Sequence, residues 1–206
     1  MKPVILTAQE EAYVLCYIAL YYHCDKATCW KHIAEIIKKY GVRRHRIVYR
    51  GHAKKDKTIK HTTPFISTTP NKRMAELFVE RNWSLPEEAQ RVGHLFKIHL
   101  KNAQSLSTRD IHYTFSKDVK EELRRINNGR LITKGGKTYT FDEYFPNIKR
   151  LIQALVFSDE VQNGEEILVL TGGTFYSDPT MKQKGFMPLK ATDFETWYSF
   201  PSDHRV

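Results

Sequence analysis

Phe65-Ile66-Ser67-Thr68-Thr69-Pro70-Asn71-Lys72-Arg73-Met74-Ala75-Glu76-Leu77-Phe78 changes its period midway, and that change decides the fold. Phe65 to Ser67 reads as a short strand, because apolar and β-branched residues gather there without helical spacing. From Asn71 onward the period is helical: Met74, Leu77 and Phe78 share one stripe, and Asn71 after Pro70 is a helix cap. Downstream, His94-Leu95-Phe96-Lys97-Ile98-His99-Leu100 alternates, with Phe96, Ile98 and Leu100 on one face, which predicts another strand. Upstream, Arg46-Ile47-Val48-Tyr49-Arg50 is strand-like as well. Short strands on either side of one helix, without a βαβ rhythm, argue for an α+β domain rather than a parallel sheet.

Further out, both ends are helical before they return to strands. Thr7-Ala8-Gln9-Glu10 has the shape of a capping box, and the residues after it are apolar nearly all round. A second helix is predicted over 26–40, with Trp30, Ile33, Ala34, Ile37 and Tyr40 on one face and Gly41 as its stop. A helix over 117–125 leads to Asn127-Asn128-Gly129. A hairpin over 130–141 then turns at Gly135-Gly136, and a helix begins at Asp142 or Pro146 and runs to about Leu155. Glu166-Ile167-Leu168-Val169-Leu170, Thr174-Phe175-Tyr176 and Phe186 to Leu189 close the series as strands.

Length and composition exclude several classes. The chain has 206 residues, 41% apolar and 27% charged, which is enough for one compact domain with its own core at about 100 to 200 residues per domain. The expected organisation is a single domain over 1–206, with a helical pair over 1–41 and a core over 42–206 that carries an insertion at 112–150. The longest nearly apolar run, Ala12 to Cys24, is shorter than the 18 or so residues of a membrane span, and Met1-Lys2-Pro3 lacks the pattern of a secretory signal. Three cysteines cannot build a disulfide framework. A cytoplasmic protein with no membrane partner is therefore expected. Kinases, zinc proteases and α/β hydrolases find no motif here. His23, Cys24, Cys29 and His32 match no standard zinc module, so no metal is expected. With 33 Lys and Arg against 23 Asp and Glu, the net charge is +10, which fits either a basic soluble surface or a polyanion footprint.

Three pieces in fixed order carry the chemistry: Val48-Tyr49-Arg50-Gly51, then Phe65-Ile66-Ser67-Thr68-Thr69 leading into its helix, then Gly164-Glu165-Glu166-Ile167-Leu168 followed by Gly173-Thr174-Phe175. Together they resemble the Arg/Ser-Thr-Ser/Glu pattern of NAD-dependent mono-ADP-ribosyltransferases, over about 46–176. The resemblance implies two small, mostly antiparallel sheets packed crosswise with flanking helices and an NAD cleft between them. It implies Glu166 as the catalytic glutamate, Arg50 with Gly51 at the pyrophosphate, and Ser67 orienting the glutamate, with Thr68 and Thr69 supporting. A strand beginning one residue earlier would move the catalytic role to Glu165. It further implies Trp83 in the loop over phosphate and nicotinamide, and Phe157, Gln162 and Gly164 in the substrate-recognition loop. Gly164 departs from the family, whose arginine-modifying members resemble Glu-x-Glu there and whose asparagine- or base-modifying members resemble Gln-x-Glu.

The chemistry stands without the family name. Nicotinamide leaves from a cationic nitrogen and departs neutral, so no general acid is needed, unlike at an ordinary glycoside. One carboxylate suffices to stabilise the oxocarbenium-like ribose. A pyrophosphate favours a planar, two-point cation, which arginine supplies. The expected activity is transfer of ADP-ribose from NAD to a macromolecule, nucleic acid ahead of protein. The alternatives are an NAD glycohydrolase and a non-catalytic basic nucleic-acid-binding module. The N-terminal helices are left as a partner surface or as support.

Overall fold

The computed structural model describes residues 2–20, 25–43, 46–52, 64–80, 92–100, 103–154, 165–170 and 194–201. In chain order the elements are α1 (Ala8–Ala19), α2 (Lys26–Tyr40), β1 (Val42–Arg43), β2 (Arg46–His52), β3 (Phe65–Thr68), α3 (Lys72–Glu80), β4 (Val92–Leu100), β5 (Gln104–Ser107), α4 (Lys117–Asn127), β6 (Ile132–Lys134), β7 (Lys137–Tyr139), α5 (Phe141–Ile152), β8 (Ile167–Leu170) and β9 (Phe194–Pro201). The architecture is mixed α+β, with small antiparallel sheets and five α-helices among the described residues. It divides into two compact units, Met1–Tyr40 with Thr108–Gln162, and Gly41–Ser107 with Asn163–Val206. The two stretches that the family resemblance leaves without a counterpart, 1–41 and 112–150, thus fall almost wholly in the same unit.

In the helical unit, α1 packs against α2, α4 and α5. The capping box read from Thr7 and Glu10 is present: the Thr7 N–H donates to Glu10 Oε2 at 2.9 Å and the Glu10 N–H donates to Thr7 Oγ1 at 3.3 Å. Ala12, Val14, Leu15 and Cys16 are all fully buried, which explains why this helix is apolar on nearly every side. Glu11 is buried beside them at 1% exposure, and its carboxylate accepts from the Thr114 N–H, the Thr114 hydroxyl and the Phe115 N–H at 2.8 to 2.9 Å. A buried charge persists only with such partners. The bonds meet a backbone in the left-handed region, φ +47 at Phe115, an uncommon conformation for a bulky residue. Val4 completes the tie, donating to the Asp110 carbonyl and accepting from the His112 N–H.

The hairpin β6–β7 turns through Gly135 (φ +57) and Gly136 (φ +75), the two positive angles that a type I′ turn demands. Helix α5 starts at Phe141, capped by Thr140 with Glu143 completing the box, so Pro146 lies inside the helix rather than at its start. Its buried stripe is Phe141, Tyr144, Phe145, Ile148 and Ile152.

The β unit holds two sheets. One has the order β1-β5-β8-β3 and the other β2-β4-β9, all antiparallel. Val48 from β2, Phe96, Ile98 and Leu100 from β4, Ile66 from β3, and Ile167 and Val169 from β8 form one buried cluster, so both sheets feed the same core. The alternation read in 94–100 is seen, although Leu95 is also buried, next to a register shift against β9. Asn71 caps α3 through Oδ1, which accepts from the Arg73 and Met74 N–H groups. Strands β1, β5 and β9 go beyond what the sequence reading predicts. The strands expected at 174–176 and 186–189, and the side chains of Leu77 and Phe78, lie outside the described residues.

Candidate active site

Three segments far apart in sequence meet at one corner of the β unit. Strand β2 alternates, with Val48 fully buried in the core and Arg50, two residues on, half-buried. A two-bond bridge fixes β2 beside the end of β3: the Tyr49 N–H donates to the Thr69 carbonyl at 2.7 Å, and the Thr69 N–H donates to the Tyr49 carbonyl at 2.9 Å. That bridge brings the Arg50 guanidinium to β3, where Nη1 donates to the Ser67 carbonyl at 2.5 Å. Strand β3 in turn pairs with β8, Ser67 opposite Leu168 and Thr68 opposite Ile167. The register ends there, with Thr69 turning to Tyr49 and Glu166 directly preceding Ile167. One strand end therefore brings together the arginine, the serine segment and the start of the glutamate strand.

Both threonines have hydroxyl bonds within the fold. Thr68 is 3% exposed and its hydroxyl donates to the Ile167 carbonyl at 2.8 Å, which locks the register of β3 on β8. The Thr69 hydroxyl accepts from the Asn71 N–H and shapes the turn into α3. Gly51 is half-buried next to Arg50, and Ser67 and Glu166 are half-buried too.

Glu165 and Glu166 precede β8 side by side. Glu165 is held on both oxygens by Arg46, Nη1 to Oε1 and Nη2 to Oε2, each at 3.0 Å, and the Ser107 hydroxyl donates to Oε1 at 2.8 Å. This fork is the strong, geometry-specific form of an ion pair. The sequence marks Arg46 only as the start of a strand-like run. Arg46 lies 119 positions from Glu165 and Ser107 lies 58 from it, so no local signal links the three.

Trp83, Phe157, Gln162 and Gly164 lie outside the described residues, as do His23 and Cys24 and the basic stretch 54–60. Of the zinc-like cluster, Cys29 is buried and its thiol approaches the Tyr13 carbonyl at 3.8 Å, while His32 stacks on Tyr13 at 3.9 Å. Among the described residues no three His, Cys, Asp or Glu side chains gather as metal ligands, and no helix is long and apolar enough to cross a membrane.

In the helical unit several titrating groups stand away from their ordinary values. Lys120 and then Arg124 hold the Asp142 carboxyl low, and the Thr140 N–H does the same for Glu143. Burial opposes ionisation of Glu10, yet the Thr7 N–H, Lys39 and Tyr40 together bring it below the usual range. Burial pushes the Tyr13 and Tyr144 hydroxyls up. Comparison with protein-family models, with curated protein sequences and with solved structures gives no match for this chain.

Proposed function

We propose that the chain is a mono-ADP-ribosyltransferase that takes ADP-ribose from NAD, releases nicotinamide and modifies a macromolecule. The observation that carries this reading is the meeting of Arg50, the Ser67 segment and the start of β8 at one strand end, in the order the motif resemblance requires. On this reading the two sheets that share a core are the crosswise pair of an ADP-ribosyltransferase fold, with NAD held between them.

The reaction breaks the bond between ribose C1′ and the nicotinamide nitrogen. The electron pair stays on the pyridine ring, which leaves neutral. Glu166 stabilises the positive charge growing on the ribose and holds a ribose hydroxyl; Arg50 meets the pyrophosphate, and Ser67 orients Glu166. The acceptor nucleophile then bonds to C1′ and gives up its proton. A fixed electrostatic partner of this kind is worth a few kcal/mol in the transition state. NAD is a substrate here, and the chemistry requires no metal.

The charge distribution supports a nucleic-acid acceptor. Residues 41–107, which supply Arg50 and Ser67, hold 14 Lys and Arg against 5 Asp and Glu. The second reading is an NAD glycohydrolase with water as acceptor, favoured by Gly164, which puts hydrogen where the family carries an acceptor-activating carboxylate or amide. Cys16 and Cys29 are buried and form no disulfide, which suits the cytoplasmic location this reading expects. A protein partner at the N-terminal helices, if there is one, would meet Lys31, Glu35 and Lys38, which are exposed on α2.

The test is label transfer from NAD to purified RNA, single-stranded DNA, duplex DNA and protein, measured beside free nicotinamide. Label on nucleic acid, falling with salt by about 0.7 to 0.9 log units per log salt for each phosphate contact, is expected. Release without any transfer would favour the glycohydrolase. NAD left intact would remove both and leave a basic binding module.

A further inference from the structure

The two carboxylates ahead of β8 differ in what holds them, and the difference bears on the catalytic one. Glu165 is fixed by its side chain, through the two-point bond from Arg46 and the bond from Ser107. Ile167 is fixed by its backbone, paired with Thr68 on one side and Ser107 on the other, with the Thr68 hydroxyl on its carbonyl. Glu166 stands between a clamped side chain and a clamped backbone. With only two soft dihedrals per residue, little freedom is left for the direction in which its Cβ leaves the chain. The three clasp residues come from three strands: Arg46 opens β2, four residues before Arg50, Ser107 ends β5, and Glu165 leads into β8. The clasp therefore joins the strand bearing the arginine to the strand led by the glutamate.

We infer that Arg46, Glu165 and Ser107 act as a positioning clasp that aims the Glu166 carboxylate at the ribose of NAD. This rests on the proposed activity. Stability gives only part of a reason for the arrangement: a two-point pair of this kind, with side chains 33% and 15% accessible, steadies the strands, but steadying alone would leave kcat unchanged in variants that stay folded. Electrostatic catalysis, in contrast, depends on a carboxylate already in place when charge develops. The clasp residues are positioning residues and none need touch NAD.

The experiment is steady-state nicotinamide release by the full chain as wild type, Arg46→Met, Glu165→Gln, the double variant, Arg46→Lys and Ser107→Ala. Glu165→Gln and Arg46→Met should each lower kcat about tenfold, short of the roughly hundredfold that a 1 Å misplacement can cost, with KM for NAD within about twofold. The double variant should be no slower than the slower single one, and Arg46→Lys should recover part of the rate. Ser107→Ala, which removes one hydroxyl and no charge, should slow kcat about threefold and serves if the charge variants fail to fold. Unchanged kcat in the folded variants, a rise in KM with kcat kept, or additive losses in the double variant would overturn the clasp while leaving the activity standing. Wild type that releases no nicotinamide would instead sink the proposed activity, and the clasp with it.

Discussion

The helical unit and the β unit handle charge differently. The helical unit carries 15 Lys and Arg against 12 Asp and Glu, and its acids are largely absorbed by its own architecture. Glu10 and Glu143 close capping boxes, Asp142 takes Lys120 and Arg124, and Glu11 ties α1 to Thr114 and Phe115. The β unit carries 18 Lys and Arg against 11 Asp and Glu, and its basic excess lies on the segment that also supplies Arg50 and Ser67. Near-balanced charge serves stability, whereas an unbalanced surface is a means of attracting a charged partner. On the proposed function, the helical unit is the support and the β unit the working part.

The sharpest way to break this contrast is at Glu166. Glu166→Gln should leave the fold intact and cut nicotinamide release about a hundredfold or more, as loss of one transition-state partner does. Glu165→Ala should cost roughly tenfold, in line with misplacement rather than loss of the reacting group. If the Glu165 change abolishes release and the Glu166 change does not, the working carboxylate is Glu165. Next in size is Arg50→Lys, which keeps the charge and loses the planar two-point contact, so NAD affinity measured by calorimetry should fall about tenfold. Equal affinities would remove Arg50 from the phosphate site.

On the support side, Glu11→Ala deprives the Thr114 and Phe115 N–H groups of their acceptor and should lower stability by about 2 kcal/mol in urea unfolding, with nicotinamide release by the folded protein unchanged. A matching loss of kcat would end the division into support and working part. Acid should act on the same unit. Glu10, Asp25, Asp142 and Glu143 ionise more readily folded than unfolded, where their ordinary values are 4.5 for Glu and 3.8 for Asp. Their stabilisation is therefore complete above those values and is lost as pH falls through the lower folded ones. Melting followed by circular dichroism should weaken below about pH 4 and stay flat from pH 5 to 7 on their account. The smallest effect is at the hairpin: Gly136→Ala meets open space but keeps φ near +75, so only strain of about 1 kcal/mol is expected.

How much was legible in the sequence follows from how local each feature is. The Thr7–Glu10 box, helix α2 over Lys26–Tyr40 and the Gly135-Gly136 turn depend on neighbours within four residues, and the structure has each where the pattern indicates. Strand β1 is two exposed residues that exist as a strand only through pairing with β5, and β5 itself, Gln104–Ser107, has one strongly apolar residue. Neither has a period to read. Strand β9, Phe-Glu-Thr-Trp-Tyr-Ser-Phe-Pro, did carry a signal in its density of aromatic and β-branched residues. At the site, Arg50, Ser67 and Glu166 could be picked out because their order and flanks make a pattern. The Arg46 fork on Glu165 could not, since a two-point bond across 119 residues is a product of the folded strands alone.

The most direct measurement is a time course of free nicotinamide from NAD supplied to the full-length wild type and to Glu166→Gln, with both checked for the same fold by circular dichroism. The account predicts NAD-dependent release by the wild type and almost none by the variant. No release by either, or equal release by both, would contradict it.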